Sequence, residues 1–227
     1  MFRHRRSDAE SEAISDSFAV AGTATASVSR HDPRKRLLDA MIQTVAQRGY
    51  DRTTISRVLS SADVQEAVFS EHFHDKHDCF VQAVDDLIDR AEHRALEQFQ
   101  RSAPWPERVR LALESLLGAL ARNPDGARVL LVEALGAGCA ACERQRTALA
   151  LFAALIEEGR TLCSNTEHLP PQTSEAIVGG IASILHHRVL QGDTASLPGL
   201  HADLTYFALL PYLDHKRALT VAGLAEL

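Results

Sequence analysis

His72, His74, His77 and Cys79 place three imidazoles and a thiol in one short interval, and both are zinc-ligand types. Cys79, however, falls on an apolar helix stripe, and the histidines straddle a bend instead of repeating at i and i+4, so no metal site is expected. Cys139-Ala-Ala-Cys142 has the spacing of a redox pair but neither a second pair nor a strand before it. It reads as a half-buried helix start, with a thiol sensor as the alternative. Gly136-Ala-Gly-Cys-Ala-Ala141 imitates a dinucleotide fingerprint, which needs a preceding strand; here a helix precedes it, so it is a helix–helix connection. His186-His187 reads as a pair of hydrogen-bonding partners, with a dimer axis or pH sensing as alternatives. No nucleophile elbow, phosphate loop or HExxH occurs, so no catalytic residue and no cofactor are expected, and the chain does not read as an enzyme.

The elements that carry these residues are helices. Asp32-Pro33 suits an N-cap and first helical position, and Leu37, Leu38, Met41, Ile42 and Val45 then share one face until Gly49. Thr53 or Thr54 opens a short second helix, Asp63 is a non-glycine residue that tolerates positive φ, and Gln65 to Glu71 makes a third helix. Two short helices joined so tightly form a helix-turn-helix. Asp75 caps a long fourth helix with a stripe from Cys79 to Ala91, running to about Arg101. Five more follow: one after Pro104-Trp105-Pro106 that Asn123-Pro124 closes, then about 125–135, about 140–163, one carrying Ile177 to Val189, and one carrying Leu200 to Ala208. No segment alternates with period two, so the class is all-α with about nine helices. Residues 1–31, rich in Ser, Ala, Thr, Asp and Arg, read as a disordered arm, and 214–227 as a C-terminal tail.

Of 227 residues, 45% are hydrophobic, enough to fill a sizeable core, and 24 basic against 30 acidic residues give a net charge of −6. No global basic field holds nucleic acid, so DNA contact must be local. The longest apolar run, Ala148 to Ile156, is too short to cross a bilayer, and basic Met1 to Arg6 leads into Ser-Asp-Ala-Glu instead of an apolar stretch. Neither membrane span nor signal peptide is expected, and four cysteines with no export signal suit reduced thiols in a cytoplasmic protein.

From about Arg34 to Phe80 the chain resembles the tetracycline-repressor (TetR) family of bacterial regulators. The carriers are Arg48-Gly49-Tyr50, Thr53-Thr54, Ile55 to Ala62, Asp63-Val64, Phe73 and Asp75-Lys76, in ungapped order. The resemblance implies a homodimeric transcriptional regulator: a three-helix DNA-binding module at 32–78, then a helical effector-binding and dimerisation domain at 79–213. The expected function is that of a repressor that leaves its operator DNA when a small effector binds, and the apolar candidate wall residues of the body suggest a largely apolar one. The alternative is a protein of the same fold that binds a ligand or protein partner and has lost sequence-specific DNA binding.

The recognition helix departs from the family pattern. It reads Gln65-Glu-Ala-Val-Phe-Ser-Glu-His-Phe73, with acids at Glu66 and Glu71 and His72 where a tyrosine is usual. Between Asp32 and Asp78 there are seven Lys or Arg residues against eight acids, so the module's non-specific affinity should be weak unless Arg3, Arg5, Arg6 and Arg30 of the arm help. Direct readout is chemically available: Gln65 suits adenine, Val68 a thymine methyl, Ser70 several base edges, and Glu66 or Glu71 cytosine N4. Thr54 and Lys76, at helix N-termini, and protonated His72 suit phosphate.

In the body, candidate effector contacts are Trp105, Val109, Leu113, Leu116 and Leu120 of the fifth helix, Phe152 and Ile156 of the seventh, and Ile177 and Ile181 of the eighth. Gly179-Gly180 inside an apolar helix costs roughly 1 kcal/mol per glycine relative to alanine, so something must approach that backbone closely. A partner helix is expected there, with Leu200, Leu204 and Phe207 completing an intersubunit four-helix bundle like the family's; packing within one subunit is the alternative.

Overall fold

The computed structural model describes residues 32–136, 138–164 and 166–224, so the readings placed on the N-terminal arm lie outside the described residues. Asp32 caps α1 (Pro33–Arg48) by accepting from the Arg34 N–H at 3.0 Å, and Gly49, at φ 83°, ends it. Then come α2 (Ile55–Ala62) and α3 (Glu66–His72), joined through Asp63, which sits in the left-handed region at φ 51°, ψ 54°. Arg36 of α1 donates its guanidinium to the Ala62 and Asp63 carbonyls, the latter at 2.8 Å. One arginine counted above as DNA-attracting charge therefore holds the turn.

Asp75 caps α4 (Lys76–Phe99) by accepting from the Asp78 N–H at 2.8 Å. Asp78 in turn accepts from Gln82 and from the His74 N–H, bonds that hold its carboxyl below the usual carboxylate range. α5 (Trp105–Arg122) returns antiparallel to α4, and Asn123 begins α6 by accepting from Gly126 N–H at 3.0 Å.

Four features depart from the expected helices. α6 is not uniform: it opens as Pro124–Arg128, passes through a π turn at Val129–Glu133 and closes with Ala134–Gly136. Such a turn inserts one extra residue and redirects backbone carbonyls. The long seventh helix is instead α7 (Cys139–Glu157) and a short α8 (Gly159–Leu162), separated where the Trp105 indole packs on Gly159. After α9 (Thr173–Leu190), a 3₁₀ segment at Thr194–Leu200 leads into α10 (His201–Leu209). The expected tail contains α11 (His215–Ala222), capped by Asp214 and ended by Gly223 at φ 76°. Its inner face is Ala218 and Ala222, too small an apolar signal to show in a pattern but enough to pack on the bundle.

No strand occurs among the described residues. Two buried clusters fill the bundle. One joins α1–α3 to the first half of α4 and reaches Val129, Ala134, Ala141 and Ala148; the other gathers α5, α9, α10 and α11. Phe152 packs against both.

Candidate nucleic-acid interface and effector cavity

α3 is anchored by Phe69 and Phe73, both buried, with ring centroids 5.4 Å apart. That anchoring turns Gln65, Glu66, Ser70 and Glu71 to solvent, while Val68 and His72 are half-buried. Thr54 is exposed at the N-terminus of α2 and makes no side-chain cap bond, so its hydroxyl is available to an external acceptor. Lys76 is less available than its position suggested: its Nζ donates to the Tyr50 carbonyl at 3.1 Å and lies 4.1 Å from the Tyr50 ring centre. Burial of that phenol, with Asp75 and Asp51 nearby, pushes its pKa up. Sequence reasoning counted Arg52 and Arg57 only as charge, yet both are exposed beside Thr54. Their adjacency to a helix N-terminus was the signal that marks phosphate contacts.

Among the described residues no group of three or more His, Cys, Asp or Glu side chains could hold a metal ion. Cys79 is fully buried, and burial pushes its thiol up to about 12. Such a thiol is inert at neutral pH.

In the body a cavity of about 140 Å³ opens between α4, α5, α6, α7 and α9. Seven of the nine candidate contacts line it: Val109, Leu113, Leu116, Leu120, Phe152, Ile156 and Ile181. Trp105 and Ile177 do not. Trp105 is buried against Tyr212 and Gly159 with its indole N–H donated to the Leu155 carbonyl at 3.1 Å, and Ile177 is core. The wall also takes in Ile88 to Phe99 of α4, Leu130 and Leu131 of the π turn, and Gln145 of α7. Ile88 to Phe99 spans about 16 Å at the helical rise per residue.

The π turn sits between this cavity and the N-terminal helices. Gln145 Nε2 donates to the Leu130 carbonyl at 3.0 Å, and His186 donates Nδ1–H to the Leu131 carbonyl. At the end of the same turn Glu133 accepts from the Tyr50 N–H at 3.3 Å and pairs with Arg128 at 3.3 Å. Arg144, next to Gln145, ties α7 to α4 through Asp85, Asp89 and Glu92 at 3.5, 2.7 and 2.8 Å. Nothing in local sequence pairs Glu133 with Tyr50 or Gln145 with Leu130.

The expected interface residues separate. Gly179 is exposed, with open space where a Cβ would stand. Gly180 is approached by its own chain, since an added Cβ would lie 3.3 Å from the Phe207 ring. Leu204, at 3% exposure, is core of its own protomer and cannot serve a partner, and Leu200 is half-buried on the same core. Phe207 remains on the surface at 43% exposure, near-matched by Ile184, Leu190 and Leu210.

Among the described residues no helix is long and apolar enough to cross a membrane. No curated protein is similar enough in sequence to match the chain. Its fold is similar to the fatty acid degradation regulator FadR from Bacillus halodurans, at 18% identity, TM-score 0.72, covering 79% of this chain and 95% of that one. It is similar also to the transcriptional regulator FadR from Bacillus subtilis in complex with stearoyl-CoA, at 18% identity, TM-score 0.69, covering 78% and 97%. A third likeness is Mycobacterium smegmatis AmtR, at 17% identity, TM-score 0.60, covering 85% and 93%. Residues 37–83 match the family model of bacterial regulatory proteins, tetR family, and over most of its length the chain shares the fold of the regulators named above.

Proposed function

We propose that this protein is a cytoplasmic transcriptional repressor that binds operator DNA as a homodimer through α2 and α3 and leaves it when a small apolar effector fills the cavity. The observation that carries this reading is the cavity's place: α4 walls it with Ile88, Ala91, Ala95 and Phe99, and packs its first half against the helix-turn-helix. A ligand that prefers one arrangement of α4 therefore shifts the module. The π turn gives a second connection, from Leu130 and Leu131 in the wall to Glu133 beneath Tyr50. The apolar lining and its length along α4 support an alkyl chain as effector, in keeping with the stearoyl-CoA bound by the similar Bacillus subtilis regulator. The module at 32–78 would read DNA with Gln65, Glu66, Val68, Ser70 and Glu71, and meet phosphate with Thr54, His72 and Lys76, joined by Arg52 and Arg57. The body at 79–213, extended by α11, would hold the effector and the partner subunit.

Exposed Glu66 and Glu71 favour a second reading, a TetR-like ligand-binding module without sequence-specific DNA binding. A salt titration separates the two. Full-length protein should bind DNA flanking its own gene with an affinity that falls steeply between about 50 and 200 mM salt. Absence of any complex at the lower salt overturns the repressor reading.

A further inference from the structure

Resting on the effector-cavity reading, we propose that the cavity selects an uncharged ligand: an alkyl chain carrying one neutral hydrogen-bonding group, such as an alcohol, ester or thioester, seated at Gln145. Among the described residues Gln145 is the single polar side chain in the wall, and every other lining residue is Ala, Val, Leu, Ile or Phe. Its Nε2 spends one N–H on the Leu130 carbonyl, which leaves a second N–H and the Oε1 acceptor for a ligand. A neutral oxygen can be satisfied there. A carboxylate cannot, because no cation lines the wall and an unpaired charge in an apolar cavity loses its hydration without return.

Two arginines that adjoin lining residues in sequence, Arg144 before Gln145 and Arg108 before Val109, are committed elsewhere. Arg144 is held by Asp85, Asp89 and Glu92, and Arg108, stacked 5.5 Å from the ring centre of Phe99, is held by the Phe99 carbonyl at 2.9 Å and Glu158 at 3.4 Å. Neither faces the ligand as a free counter-charge. The bond from Gln145 to Leu130 also makes the reader of the polar group a direct contact of the π turn, so ligands with and without that group differ in what they do to the turn.

The test uses full-length protein and four probes built on an eight-carbon chain, octane, 1-octanol, methyl octanoate and octanoate at pH 7.5, each displacing Nile red. Methyl octanoate and 1-octanol should bind at least 30-fold tighter than octanoate, and 1-octanol about 10-fold tighter than octane, the factor expected for one hydrogen bond. In Gln145→Leu the octanol-to-octane ratio should fall below one, because the buried hydroxyl then has no partner, while octane binds at least as tightly as before, which also reports an intact cavity. Octanoate within threefold of its methyl ester in the wild-type protein overturns the proposal without recourse to the variant, as does an unchanged ratio in Gln145→Leu. Failure of all four probes overturns the effector-cavity reading beneath it.

Discussion

Replacing Glu133 by Ala severs the contact between the π turn and the helix-turn-helix module. The Glu133 side chain is 15% exposed, its Oε2 accepts from Tyr50 N–H at 3.3 Å, and its Oε1 pairs with Arg128 at 3.3 Å. A hydrogen bond to a charged group contributes about 1.5–3 kcal/mol, and these distances exceed the usual 2.9–3.0 Å, so the lower end applies. Arg128 adds to the loss, because its buried Nε has no partner and the carboxylate is its counter-charge. A total of about 2 kcal/mol follows, or a fall in Tm of roughly 4–8 °C for a chain of this size. The local signature is sharper: exchange of the Tyr50 amide should accelerate by about tenfold more than exchange of the α9 core amides at Ile181 and Leu185. Addition of 1-octanol should shift the Tyr50 amide resonance in the wild-type protein and leave it still in the variant. A Tyr50 amide that exchanges at the wild-type rate in Glu133→Ala, or a stability loss under about 0.5 kcal/mol, refutes the connection.

Gly159→Ala should destabilise by about 2–4 kcal/mol in chemical denaturation, since the new Cβ would lie 2.4–2.9 Å from three atoms of the Trp105 ring, which Tyr212 and the bond to Leu155 prevent from moving aside. A loss under 0.5 kcal/mol would mean the indole is free to shift. Phe207→Asp, on the surface at 43% exposure, should leave the helical circular dichroism intact and convert the proposed dimer to monomer in sedimentation velocity; an unchanged sedimentation coefficient overturns Phe207 as a subunit contact.

Where the helices of the N-terminal module and α4 begin, and which face of α1 turns inward, was legible because both are local matters. Asp32-Pro33, Asp63, Asp75 and the Leu37 to Val45 stripe act through neighbours within about one or two turns, and the structure uses each as its residue type dictates. Helix-period apolar stripes without strand alternation likewise settled the all-α class, and the module's spacing is local enough to carry the resemblance that the match at residues 37–83 repeats. An inward face does not name its neighbour, however. Trp105 and Leu113 share the apolar character of α5, yet one packs on Gly159 while the other lines the cavity. Leu204 and Phe207 are both apolar on α10, and only the approach of neighbouring helices buries the first and leaves the second exposed. Glu133 reaches Tyr50, Gln145 reaches Leu130 and Arg36 closes the Asp63 turn across sequence separations that no periodicity spans. The amino-acid order alone determined the helices and the class of molecule they build. Tertiary packing decided which side chains wall the cavity and which bond joins it to the helix-turn-helix, because those outcomes depend on the distances between whole helices once they have docked.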